Sequence, residues 1–190
     1  RVLLPDRVVC VKRALAKLKV AADWRAPIGR NAYEVAWFET AAQFAPEAVP
    51  EIIAHDAEDG LFVMEYLDPT DYRLWKAALL EGEADVGAAE AVARILAQIH
   101  AGSAGDDDVA RRFETDETFH AIRLEPYLEA TARAHPEYLD RLMALSARTA
   151  ATKKTLVHGD VSPKNILLGP QGPVYLDAEC AWYGDPAFDA

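Results

Sequence analysis

Cysteine is scarce: Cys10 and Cys180 are the only two in 190 residues. They lie at opposite ends and outside any Cys-x-x-Cys spacing, so neither a disulfide framework nor a cysteine zinc site is encoded, and a reduced cytoplasmic setting is the expectation. Basic charge is also short, with 20 Lys+Arg against 31 Asp+Glu and a formal net charge of −11. That balance argues against a surface built to neutralise nucleic-acid phosphates or anionic lipid, and no nucleic-acid or membrane partner is expected. No apolar run reaches the roughly 18 residues a membrane helix needs. No charged-then-apolar leader, internal repeat or low-complexity tract is found. What is present is globular: 51% hydrophobic and 27% charged residues, far from the composition of a disordered chain.

The periodicities divide the chain into β-rich, helical and again β-rich stretches. Arg1 to Leu4 and Arg7 to Lys12 read as a hairpin about Pro5-Asp6. Tyr33, Val35, Ala36, Phe38 and Ala42 give a helical stripe within residues 31–44 that stops before Pro46. Glu51 to His55 and Leu61 to Leu67 read as a second hairpin around Asp56-Ala-Glu-Asp-Gly60. Beyond Asp68-Pro69 the composition turns helical, which places a boundary between residues 1–67 and 68–190. Helices are expected over about 86–100, on Val92, Leu96 and Ile99, and over 115–134 and 136–154, while the charge run Asp106 to Asp108 reads as a solvated loop. Short strands follow at Leu156-Val157, Ile166 to Leu168 and Val174 to Leu176, with Gly169 to Pro173 as the connection between the last two. This order predicts a two-lobe α+β protein, a small sheet-rich lobe followed by a mainly helical one.

The chemistry is concentrated in His158-Gly-Asp160-Val-Ser-Pro-Lys164-Asn165 and Asp177-Ala-Glu179. If Ile166 pairs with Leu176 and Leu168 with Val174, Asn165 stands opposite Asp177, and opposed Cβ atoms lie about 5 Å apart. An amide oxygen and a carboxylate at that spacing suit one hard cation such as Mg²⁺, with Asp160 five residues before Asn165 in the same loop. An Asp followed after four residues by Asn is the spacing of the kinase catalytic loop, where the Asp accepts the proton of the attacking hydroxyl and the Asn holds metal. Lys164 reads equally as a γ-phosphate partner or as a solvated loop lysine. Trp182 and Tyr183 read as packing beneath the loop ahead of a stacking role, and His100 and His120 as satisfied histidines without a ligand partner.

These residues resemble the signature of the aminoglycoside phosphotransferase and choline kinase group, small-molecule kinases with a protein-kinase-like fold. The resemblance implies Asp160 as catalytic base, Asn165 and Asp177 as metal ligands, and His158 as a loop-ordering residue. It further implies Glu179 as a helper for a second ion, and Asp185 and Asp189 as structural acids. In the first lobe, Val11-Lys12-Arg-Ala-Leu15, Asp23-Trp24, Arg30-Asn-Ala-Tyr-Glu34, Val49-Pro50 and Val63-Met64-Glu65 are similar in order and spacing to the methylthioribose kinases of the same superfamily. Lys12 would then contact the phosphates of ATP, Glu34 would be its ion-pair partner, and Glu65, Tyr66 and Leu67 would form the hinge that binds adenine through its backbone. Asn165 itself is closer to the phosphotransferase pattern.

No glycine-rich phosphate loop precedes the lysine strand, Arg1 stands in mid-strand, and the chain ends at Ala190 before the helices that usually complete the substrate site, so these residues read as the middle of a longer kinase. Two readings remain: an ATP- and Mg²⁺-dependent kinase of a small-molecule hydroxyl, and a non-catalytic pseudokinase or nucleotide- or ligand-binding module. A protein kinase is disfavoured, because no Asp-Phe-Gly and no activation loop follow Asp177.

Overall fold

A computed structural model describes residues 1–13 and 30–190 of the chain. Ala14, Leu15, Asp23 and Trp24, part of the resemblance above, lie outside the described residues, as does the side chain of Arg30. The first lobe is an antiparallel sheet of β1 (Val2–Leu3), β2 (Val8–Arg13), β3 (Ile52–Asp56) and β4 (Leu61–Glu65) in the order β1-β2-β4-β3. Helix α1 (Arg30–Ala41) packs on β3 and β4. The β3–β4 hairpin turns where expected: Asp56 Oδ1 accepts the N–H groups of Glu58 and Asp59, both at 3.1 Å, and Gly60 takes a positive φ of 59°.

The second lobe is mainly helical. It contains β5 (Arg73–Leu74), α2 (Trp75–Leu80), α3 (Val86–Ser103), α4 (Asp107–Arg112), α5 (Asp116–Phe119), a π-helical segment over His120–Glu129, α6 (Ala130–Ala134) and α7 (Leu139–Ala151). Two small sheets complete it: β6 (Thr155–Val157) with β9 (Trp182–Gly184), and β7 (Ile166–Gly169) between β5 and β8 (Gly172–Tyr175). Among the described residues no helix is long and apolar enough to cross a membrane.

The core crosses from one lobe to the other. Trp37 and Phe38 of α1, Phe62 of β4, Ile99 of α3 and Tyr175 of β8 belong to one buried cluster, each no more than 1% exposed. Fully burying a large apolar side chain contributes about 1.5–3 kcal/mol, so this cluster joins the lobes by more than a linker.

Three expectations need correction. The acidic run is no loop: Asp106 Oδ1 accepts Asp108 N at 2.8 Å and Val109 N at 3.0 Å, and Asp107 and Asp108 open α4, where carboxylates complement the positive end of a helix. The helix expected over 115–134 is interrupted by the π-helical turns, and Pro126 sits inside them. The third correction concerns the β7–β8 register. Ile166 pairs with Tyr175, Leu167 with Val174, Leu168 with Pro173 and Gly169 with Gly172, one residue away from the expected pairing. The chain reverses in the two residues Pro170-Gln171 rather than in five, helped by Gly172 at φ 130°, and this change in turn length shifts every partner by one.

Candidate active site

His158 is the buried foundation of the loop over 158–165. It is 1% exposed and lies edge-on to Trp37, with ring centroids 4.8 Å apart, and near Tyr175 at 5.9 Å. Its Nδ1 accepts Asp160 N at 3.2 Å, and its Nε2 lies 3.1 Å from the carbonyl oxygen of Leu176, which fixes the neutral tautomer with the proton on Nε2. Burial pushes its pKa down against the pull of Asp189 and Asp160. The carboxylate of Asp189 accepts His158 N and Gly159 N, each at 2.8 Å, and its Oδ2 lies 3.1 Å from His100 Nε2. Asp189 thus works as a structural acid, and Asp185 caps the turn before it through Ala187 N at 3.0 Å.

Glycine at 159 is required twice over. Its φ is +80°, and a Cβ there would stand 2.6 Å from the carbonyl oxygen of Cys180. This close approach brings the segment after β8 alongside the loop.

Asp160 is held chiefly through one oxygen. Its Oδ2 lies 2.8 Å from Lys164 Nζ, 2.9 Å from Asn165 Nδ2 and 2.9 Å from Arg123 Nη2. Burial raises its pKa, but these donors together outweigh it, and the carboxyl sits below its ordinary value. Asn165, 5% exposed, also donates to the Asp160 carbonyl at 3.0 Å, which turns its side-chain oxygen away from Asp160 and leaves it for another partner.

The register shift changes how Asp177 reaches the site. Asn165 faces Leu176, whose N–H donates to the Asn165 carbonyl at 2.8 Å, so Asp177 lies one residue past the ladder. It adopts φ 65°, the only positive φ at a non-glycine among the described residues. Asp tolerates this left-handed conformation better than most residues, and such sparsely populated backbone concentrates at functional sites. Its carboxylate meets the ammonium of Lys12, which also lies 2.8 Å from the Glu34 carboxylate. Glu34 is 1% exposed; burial pushes its pKa up to about 7 against the opposing pull of Lys12, and the charges of Asp177 and Glu179 add to the rise. Burial alone would lower the Lys12 value, but the two acids reverse this and raise it.

The structure therefore brings the expected residues together in two groups, Lys12 with Glu34 and Asp177, and Asp160 with Lys164 and Asn165, joined through Leu176. Glu179 is half-buried beside the first group. Glu65, Tyr66 and Leu67 stand apart: Lys12 pairs with Phe62, and Glu65 lies three residues, about 10 Å, further along β4. Trp182 and Tyr183 are packing residues. Trp182 stacks on Phe119 with centroids 4.2 Å apart and donates to Asp116, and the Tyr183 hydroxyl bonds Gly105 N and the Lys154 carbonyl.

Sequence reasoning missed Arg123. An arginine within an amphipathic helical pattern carries no local signal, and only the folded chain sets its guanidinium against Gly159 and Asp160.

The donor set fits a hard cation. Asn165 offers an amide oxygen, and Asp177 and Glu179 offer carboxylates, which is oxygen chemistry suited to Mg²⁺ supplemented by water and phosphate. Among the described residues no group of three or more His, Cys, Asp or Glu side chains is arranged to hold a metal by itself.

Comparison with known proteins adds to this geometry. Methylthioribose kinase of Yersinia pseudotuberculosis serotype O:3 (strain YPIII) is 26% identical over 207 aligned positions, covering 95% of this chain and 50% of its own length. The methylthioribose kinase of Pectobacterium atrosepticum is 25% identical, covering 95% of this chain and 51% of its own. The chain thus spans about half the length of the curated relatives it matches. Among solved structures, choline kinase LicA from Streptococcus pneumoniae superposes with a TM-score of 0.56 at 17% identity, over 98% of this chain and 61% of that one. The streptomycin-ATP-APH(2")-IIa ternary complex gives 0.52 at 16% identity, over 85% and 58%. At these identities the likeness is one of fold, the two-lobe protein-kinase-like arrangement. The model of the phosphotransferase enzyme family matches residues 12–190, and the chain belongs to that family.

Proposed function

We propose that the protein of which these residues form part is an ATP- and Mg²⁺-dependent kinase that phosphorylates a hydroxyl of a small, polyhydroxylated molecule. Residues 1–67 would form its nucleotide-binding lobe and residues 68–190 its catalytic lobe. One observation carries the reading: Asp160 is pinned by Oδ2 in a loop whose Asn165 carbonyl accepts from Leu176, the residue before the Asp177 that Lys12 joins to Glu34. A packing motif has no need to set a lysine shared by two carboxylates one residue from the partner of a loop that pins a third.

In this reading Asp160 receives the acceptor's hydroxyl proton as the acceptor oxygen forms its bond to the γ-phosphorus and the bond from that phosphorus to the ADP oxygen breaks. Its depressed pKa makes it a weak base, which suits a loose transition state in which positioning matters more than proton abstraction. Lys12 would exchange Asp177 for nucleotide phosphate, with Glu34 as its anchor, and the hinge at Glu65, Tyr66 and Leu67 would receive adenine. Lys164 would stand beside the γ-phosphate. Asn165, Asp177 and Glu179 would hold Mg²⁺, which neutralises charge on the phosphates.

The relatives named methylthioribose kinase put methylthioribose first among acceptors to test, ahead of aminoglycosides. The test is phosphate transfer from radiolabelled ATP by the full-length protein to methylthioribose, choline and an aminoglycoside, with Asp160→Ala as control. Transfer to one acceptor that Asp160→Ala abolishes supports the kinase. ATP binding without transfer to any of them would instead support a binding module.

A further inference from the structure

We propose that Arg123 is a positioning residue for phosphoryl transfer: it grips Asp160 by one carboxylate oxygen so that the other is presented to the acceptor hydroxyl. The inference rests on the kinase reading above and concerns a residue that belongs to none of the sequence motifs.

A carboxylate turns about its last bond, so a base is aimed only when one of its oxygens is pinned. At Asp160 the pinned atom is Oδ2, the shared target of Lys164, Asn165 and Arg123. The three holders are not equivalent. The Lys164 side chain is 52% exposed on a flexible stem, and the Asn165 amide divides its donors between the Asp160 carbonyl and Oδ2. The Arg123 side chain is 11% exposed, and its guanidinium is fixed at other points. Nε donates to the Gly159 carbonyl at 2.5 Å, Nη1 donates to the Ile122 carbonyl at 2.8 Å, and the group lies 5.7 Å from the Tyr127 ring centroid. Gly159 and Asp160 are neighbours in sequence, so one rigid fork holds the carbonyl of one and the carboxylate of the other. A lysine ammonium, a single point of charge, cannot span both.

The helix carrying Arg123 is built to allow this. The run over His120–Glu129 bonds across five residues, as the Ala130 N–H on the Glu125 carbonyl marks at its end, and Nη1 of Arg123 donates to the Ile122 carbonyl within it. The π-helical turns over His120–Glu129, a form that recurs at functional sites, carry the arginine beneath the catalytic loop. A purely structural arginine would need only the carbonyl contacts. The contact to Oδ2 ties it to the reacting group.

The test uses the full-length protein, ATP and the acceptor that wild type turns over in the screen above. Arg123→Met is expected to keep its fold and its ATP affinity within twofold while kcat falls about 10- to 100-fold, the scale of a misplaced reacting group. Added guanidinium ion, at concentrations far below denaturing, is expected to restore part of kcat to Arg123→Ala and none to wild type. Arg133→Met, which removes an exposed ion pair with Glu125 on the same helical run, should leave kcat unchanged. A folded Arg123→Met protein with kcat within threefold of wild type would overturn the proposal and leave the kinase reading standing. If Arg123→Met does not fold, Arg123→Lys decides: lowered kcat with ATP affinity retained supports the role, and unchanged kcat overturns it. A wild type that transfers phosphate to no acceptor overturns the kinase reading itself, and this inference with it.

Discussion

Lys12 and Asp177, 165 residues apart in sequence, are joined by an ion pair in which the Lys12 ammonium also serves Glu34. The contact ties a strand of the first lobe to the segment that follows β8 in the second. Three consequences for charge and one for backbone geometry can be measured.

Removing the ammonium leaves Glu34, with a side chain 2% exposed, without its cation. Breaking a buried pair by deleting one partner costs about 3–5 kcal/mol, and the partial exposure of Lys12 puts this case near the lower end. Lys12→Met should therefore lose about 3 kcal/mol in urea unfolding, and Lys12→Met/Glu34→Gln should recover much of that loss. If the double variant is no more stable than Lys12→Met alone, the unpaired Glu34 carboxylate is not the source of the loss.

Stability should fall on mild acidification because of His158. Burial lowers its folded pKa below the unfolded value of about 6.5. The unfolded chain then takes up a proton that the folded chain refuses, so the stabilisation is present above pH 6.5 and is lost as the pH falls below it, by up to about 1.4 kcal/mol per pH unit. His158→Gln keeps a donor for the Leu176 carbonyl and removes the titration. Its unfolding free energy should decline less steeply than wild type between pH 6.5 and 5. Parallel curves would show that His158 titrates alike in both states.

Gly159→Ala tests the backbone rather than the charge. A left-handed φ costs a non-glycine residue about 1–2 kcal/mol, and the added methyl would press on the Cys180 carbonyl 2.6 Å away. We expect a loss of at least 2 kcal/mol together with loss of phosphate transfer, because Asp160 is the next residue. Thermal unfolding within 1 °C of wild type would show that the loop relaxes without it.

ATP affinity measured by calorimetry in the full-length protein should rise with Mg²⁺, since a cation between the triphosphate and the acids at Asp177 and Glu179 removes their repulsion. Asp177→Ala should abolish that dependence; it also gives up the Lys12 contact and puts alanine at a left-handed φ, so a stability loss of about 1–2 kcal/mol is expected and circular dichroism checks that the variant is folded before titration. Equal affinity with and without Mg²⁺ in wild type would remove the metal site from the proposal.

What the amino-acid sequence determined by itself is what short-range physics writes into it. Alternating strands about Asp56 to Gly60, the helical stripe from Tyr33 to Ala42, and the five-residue step from Asp160 to Asn165 depend on neighbours along the chain, and each was legible there. The Lys12–Glu34 pairing was reached through the family resemblance. The tertiary structure decided the rest, because those features depend on residues distant in sequence or on a count that local pattern leaves free. The β7–β8 register turned on whether two or five residues make the turn, and a one-residue difference moved Asp177 off the ladder into a left-handed turn. Asp106 to Asp108 became a helix start because an aspartate side chain could satisfy the free N–H groups of the first turn. Arg123 gained its place from a π-helical run that passes beneath a loop 36 residues later, a meeting that only packing brings about. Lys12 reached Asp177 for the same reason: attraction between two charges acts through space, and their distance in space is set by a shared core built on Trp37, Phe62 and Tyr175.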